Sequence, residues 1–214
     1  MEEQSRKRTL FLVQFSILLA IEAIVCFTPL GSLPPIGPIS ATLSHIPVIL
    51  AAVLLGTKAG AGMGFFFGLF SFIVWTFMPP QPHLAFVFTP VYSAEMFQGN
   101  FWSIVICFVP RILIGVVAGL TYSYFSKKRF SKLVRYGVSG VLGSLTNTFF
   151  VLGGIYLFFG RNYAAANDLA YNLLLGAIGL LILTNGIPEA IVGGFVNYAV
   201  GSPLKTIVSK STGS

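Results

Sequence analysis

An arginine, two asparagines and two glutamates stand inside stretches that are otherwise apolar. Arg111 sits in FVPRILIG, Asn147 in SLTNTFF, Asn185 and Glu189 in LTNGIPEA, and Glu22 in AIEAIV. A guanidinium offers five donors in a planar fork and holds a carboxylate bidentately. Amide side chains both donate and accept, so they suit amides and hydroxyls. Arg111 is about ten residues into its stretch, hence about 15 Å deep at helical rise. A charge at that depth costs at least about 2.5–3.5 kcal/mol. It therefore needs an internal ion-pair partner, Glu22 or Glu189, or a role as anchor for an anionic ligand, and the two can coexist. Asn147 and Asn185 read either as interhelical hydrogen bonds or as ligand contacts. An arginine and two asparagines at similar depth on three successive stretches favour the ligand reading.

Other candidates are weaker. His45 opens an apolar stretch, where a lone histidine is more often a hydrogen-bonding interface residue than a ligand contact. Tyr92, Glu95 and Gln98 lie in a proline-rich loop and are candidates for a lid on polarity alone. Trp75 and Trp102 read as members of an interfacial aromatic belt. The two cysteines, Cys26 and Cys107, lie in apolar stretches and read as core residues rather than a disulfide, ligands or nucleophiles.

Enzyme signatures are missing from the sequence. There is no GxxxxGK[ST] phosphate loop, no HExxH or Cys/His metal spacing and no GxSxG elbow. The expectation is no catalysis, no cofactor and no metal. A small intramembrane enzyme acting on lipid is the alternative, and it would need a nucleophile–base pair or a metal site. A ligand-free structural subunit would leave Arg111 as an ion-pair residue only.

The elements that must position these residues are membrane helices. The chain of 214 residues is 55% hydrophobic and 9% charged, with mean hydropathy +0.85. Soluble domains carry about 25% charged residues. The net charge of +7 sits at the ends of apolar spans, not on a patch interleaved with aromatics, which argues against nucleic acid. The expected fold is all-α, one membrane domain over residues 1–214, with six spans at about 10–28, 43–55, 59–77, 101–125, 133–159 and 170–200. The last span is expected to break near Asn185–Glu189, because Pro188 removes a backbone donor.

The stretch from Ser44 to Phe77 organises the rest. Gly56-Thr57-Lys58-Ala59 is short enough to be only a tight turn at a membrane face. Gly60, Gly62, Gly64 and Gly68 then strip one helix face of side chains, so another helix can approach closely. The loops at 29–42 and 78–100 are proline-rich and read as covers folded onto the helix ends; the polar segment 160–169 completes that side. Eleven of the thirteen lysines and arginines fall on the opposite side, with the termini. The positive-inside rule places both termini in the cytoplasm. Arg6-Lys7-Arg8 leads into a run too long for a cleavable signal peptide.

Several of these stretches together resemble a known family. HIPVILAAVLLGTKAGAGMGFFFGLFSF, a proline-rich first external loop, a basic loop before the fifth span and a six-span plan resemble the substrate-binding S components of energy-coupling factor (ECF) vitamin transporters. With VPRILIG, SLTNTFFVLGGIYLFF and NGIPEAIVG, the chain is most similar to the pantothenate-type S components. The resemblance implies a multi-pass protein of a bacterial cell membrane that captures a vitamin from outside. It implies a transmembrane coupling protein and two cytoplasmic ATPases as partners, and toppling of the S component to release its cargo inward. Family members carry an AxxxA docking motif on the first span. The match here is Ser16-x-x-x-Ala20 with Ala23 beyond, and the glycine face of Gly60, Gly64 and Gly68 is a second candidate for that interface. Pantothenate would place its carboxylate on Arg111 and its amide and hydroxyls on Asn147 and Asn185. Riboflavin, folate or a pyridoxine-like vitamin is the alternative cargo.

Overall fold

The structure is a computed structural model and describes residues 2–29, 43–91, 93–94 and 97–206. It is all-α apart from one two-residue ladder, β1 (Ser93–Ala94) with β2 (Phe97–Gln98). Among the described residues five helices are long and apolar enough to cross a membrane: Glu3–Phe27, Thr57–Phe77, Phe101–Lys127, Lys132–Ala166 and Tyr171–Thr206. A sixth apolar helix, Ile46–Leu55, is shorter. The chain is an integral membrane protein.

Helix α1 (Glu2–Phe27) starts earlier than its apolar run, because the leading Glu, Gln, Arg and Lys residues are good helix formers and Glu3 pairs with Lys7 at 2.7 Å. Helix α2 (Ile46–Leu55) is buried from Ile46 to Leu54, all round its circumference, as a central helix must be. Its end is sealed by Lys205, whose Nζ donates to the carbonyls of Leu54 at 2.6 Å and Val53 at 3.3 Å. The turn into α3 (Thr57–Phe77) is tighter than expected: Gly56 alone makes it, at φ +102°, and Thr57 and Lys58 are already helical.

Helix α4 (Phe101–Lys127) starts with a capping box between Asn100 and Ser103. It crosses α3 where both helices are bare. A Cβ on Gly60 would strike Ala52, and one on Gly115 would strike the backbone of Gly60. A Cβ on Gly64 would meet the Arg111 carbonyl, and one on Gly119 would lie 2.6 Å from Thr57 Oγ1. The glycine face is therefore spent inside the molecule. Gly60, Gly64 and Gly68 are buried against α2 and α4, and the expectation that they dock a partner is corrected.

Helix α5 (Lys132–Gly154) continues through a π-helical turn, Ile155–Phe159, into α6 (Gly160–Ala166). Much of the expected loop at 160–169 is thus helix, carried on by the helix-forming Ala164–Ala166 and stopped at Asp168, where φ is +52°. The last span is α7 (Leu174–Leu181), a π turn (Ile182–Gly186), α8 (Ile187–Val196) and a second π turn (Asn197–Gly201). The expected break near Pro188 does not occur. The chain widens by one residue instead, so that Ile187 N–H reaches the Ile182 carbonyl, and the helix stays continuous.

Candidate ligand-binding site

A cavity of about 680 Å³ lies where α1 and α3 end, beside the segment that links α3 to α4. That segment is irregular but not loose. Its 3₁₀ turn, Pro82–Val87, buries Leu84 to Val87, and the Phe86 carbonyl accepts from Ser103 Oγ at 2.7 Å. Irregular backbone at membrane depth is stable only when protein covers it in this way. Met78, Pro80 and Phe88 of this segment line the cavity.

The charged and amide side chains at the cavity come from three spans: Arg111 from α4, Asn147 from α5, and Asn185 and Glu189 from the π turn and α8. Gly186 lets the last span close on α5, since a Cβ there would lie 2.6 Å from Thr148 Cγ2. Arg111 is 6% exposed. Its Nη1 donates to the Ile106 carbonyl at 2.8 Å, and its guanidinium carbon lies 5.6 Å from the Phe67 ring and 5.3 Å from the Phe88 ring. These distances allow cation–π attraction. Among the described residues Arg111 has no ion-pair partner, and its Nε has no acceptor. The Oδ1 of Asn147 is also buried without a donor. A residue with an unmet donor and one with an unmet acceptor therefore line one cavity.

The alternative of an ion pair between Arg111 and Glu22 is not formed. Glu22 is fully buried and accepts from the Cys26 thiol at 3.3 Å, and its other oxygen has no described partner. Cys26 lines the cavity and Glu22 does not.

Residues 10–201 match the sequence model of a family described as ECF transporter, substrate-specific component. The chain belongs to that family. It is 35% identical over 164 residues to a pantothenic acid transporter, PanT, of Lactococcus lactis subsp. cremoris, covering 76% of each chain. It is 27% identical over 213 residues to a pantothenate transporter, PanT, of Leuconostoc mesenteroides subsp. mesenteroides, covering 97% of this chain and 98% of the relative. These are transporter components, so this S component is not an enzyme.

The other candidates of the S component lie away from the cavity or outside the described residues. His45 is buried between α2 and α8, with Nε2 unpartnered among the described residues and 3.2 Å from where a Gly193 Cβ would stand; it does not line the cavity. Gln98 is exposed in β2, away from the cavity. Tyr92 and Glu95 lie outside the described residues, as does most of the 29–42 loop. Ser16 and Ala20 are exposed on α1 and Ala23 is half-buried, beside exposed Leu12, Ile17 and Ile24.

Three cavity residues escape a polarity-based reading. Trp75 stacks on Phe88 at 4.6 Å and lines the cavity, so its assignment to the aromatic belt is corrected. Trp102, 43% exposed and stacked on Phe158 at 3.9 Å, lies on the outer surface of the bundle. Phe67 had a usable signal: it is three residues beyond Gly64 and seven beyond Gly60, hence on the same inward face. Cys26 is four residues beyond Glu22 and shares its face of α1.

Proposed function

We propose that this S component captures pantothenate in the cavity of about 680 Å³ and delivers it inward. The observation that carries the reading is Arg111: a buried cation with no ion-pair partner among the described residues, opening on that cavity. The volume is in the range of small-molecule sites, about 300–1,000 Å³. The carboxylate goes to the Arg111 fork. Asn147, Asn185 and Glu189 take the amide and hydroxyls. Phe67 and Phe88 flank the fork, and Trp75 backs Phe88, as the apolar wall of the site. The names of the two relatives support this cargo. Trp75 and Phe88 already lie face to face, which leaves no slot between them for a flat flavin or pterin.

The chain forms one six-helix membrane domain with both termini in the cytoplasm and the cavity end outward, since Lys58, Lys127, Lys128, Arg129 and Lys132 gather at the other end. Delivery uses a transmembrane coupling protein and two cytoplasmic ATPases, met through the small-residue face of Ser16, Ala20 and Ala23 on α1.

Calorimetric titration of the purified protein with pantothenate tests the site. Arg111→Ala removes two charge-assisted hydrogen bonds at about 1.5–3 kcal/mol each, which corresponds to a loss of about 10²–10⁴-fold in affinity. Its ligand-free thermal midpoint is measured alongside, because the variant also takes the donor from the Ile106 carbonyl. Unchanged affinity would remove Arg111 as the anchor.

A further inference from the structure

We propose that Pro110 is a positioning residue for Arg111: by withholding a backbone donor it reserves the Ile106 carbonyl as a mount for the guanidinium. The inference rests on the reading of Arg111 as the ligand anchor.

In a helix the N–H of residue 110 would bond the carbonyl of Ile106. Proline has no N–H, so that carbonyl loses its donor. Inside a membrane an unmet carbonyl costs several kcal/mol, so another group must supply the bond. Helix α4 neither breaks nor widens here; it runs from Phe101 to Lys127 as α-helix. The donor is Arg111 Nη1, at 2.8 Å from the Ile106 oxygen. Adjacency explains the geometry. Helical side chains lean toward the N-terminus, so the residue after the proline reaches back over the turn that holds the orphaned carbonyl.

Both ends of Arg111 are thereby held. Its backbone is pinned by the bare face of α3, where a Cβ on Gly64 would lie 2.8 Å from Ile112 Cα and closer still to the Arg111 carbonyl. Its guanidinium is planar, so one nitrogen fixed on Ile106 and two flanking rings set the orientation of the whole fork. The Nε donor is left without a described acceptor. A fork held in place before the ligand arrives loses less rotamer freedom on binding, which raises affinity. Restoring an N–H at residue 110 would give the Ile106 carbonyl a backbone partner and release the side chain.

The test compares four proteins by pantothenate titration and by thermal unfolding without ligand: wild type, Arg111→Ala, Pro110→Ala, and a protein carrying an α-hydroxy acid at position 110. The hydroxy acid lacks the N–H as proline does but has no ring. Pro110→Ala should weaken binding about tenfold while its unfolding midpoint stays the same or rises, because proline is disfavoured in a helix interior. The hydroxy-acid protein should recover most of the lost affinity. A residue of merely structural importance would move the midpoint and leave affinity alone. Loss of binding in Arg111→Ala with full affinity in Pro110→Ala overturns the inference and spares the anchor. Equal losses in Pro110→Ala and the hydroxy-acid protein also overturn it, because the ring rather than the missing N–H would then matter. Full affinity in Arg111→Ala removes the anchor and this inference with it.

Discussion

The α3–α4 crossing predicts opposite outcomes for two glycines on one helix. A Cβ on Gly64 would lie 2.8 Å from Ile112 Cα and closer still to the Arg111 carbonyl. Carbon atoms rest at about 3.5–4.0 Å, so the helices would have to separate by roughly 1 Å. Both obstacles are backbone, and no rotamer change relieves them. Overpacking of this kind costs up to about 3 kcal/mol. Replacing glycine in a helix returns about 1 kcal/mol, which leaves Gly64→Ala destabilised by about 2 kcal/mol. At about 2–4 °C per kcal/mol for this chain length, its unfolding midpoint in detergent should fall by about 4–8 °C. Gly62→Ala is the control, since the nearest atom to its Cβ would be Phe15 Cζ at 3.9 Å. It should gain about 1 kcal/mol and rise by about 2–4 °C. Arg111 rides on the displaced backbone, so Gly64→Ala should also bind pantothenate more weakly, while Gly62→Ala should not. If both variants shift the midpoint alike, the backbone crossing at Gly64 is refuted.

Trp75→Ala removes the ring stacked on Phe88 at 4.6 Å, and with it the support of one face over Arg111. The stacking is worth about 0.5–1.5 kcal/mol, so affinity should fall about 2- to 12-fold by titration; an unaltered affinity would return Trp75 to a surface role. Ala20→Trp should bind pantothenate normally in detergent yet abolish uptake in reconstituted vesicles containing the complete transporter, because a bulky ring separates closely packed helices. Normal uptake would discard the α1 face as the docking site. Lys205→Met strips the cap from the Val53 and Leu54 carbonyls. Two bonds to a charged group are at stake, partly exposed, so a loss of about 1–2 kcal/mol and a midpoint lower by about 2–8 °C are expected, with affinity unchanged.

The residues that the sequence makes conspicuous and those it hides differ for a physical reason. A charge or amide in hydrocarbon is costly enough to need an explanation, and Arg111, Asn147, Asn185 and Glu189 do converge on one cavity. Depth along a span is written in the sequence, so residues at similar depth can be recognised. Rotation about the helix axis is written only in pairs of surfaces. The glycines of α3 announce a close approach without naming the approaching helix; the matching gap is Gly115 and Gly119, four residues apart on α4. Both stripes taken together turn Gly60, Gly64 and Gly68 inward and bring Phe67 along with them. Trp75 is ambiguous for the same reason, since a tryptophan near a span end fits a lipid belt or a cavity wall equally well until its face is known. Pro188 is ambiguous for another. A missing donor can break a helix or widen it by one residue, and the widened turn keeps more backbone groups bonded where no water can replace them. Pro110 shows a third outcome of the same deficit, in which a side chain supplies the donor. The neighbour of a proline in a membrane helix therefore matters as much as the proline itself. Pro188 stands between an isoleucine, which has no side-chain donor, and a glutamate, which when ionised only accepts, whereas the residue after Pro110 brings a guanidinium.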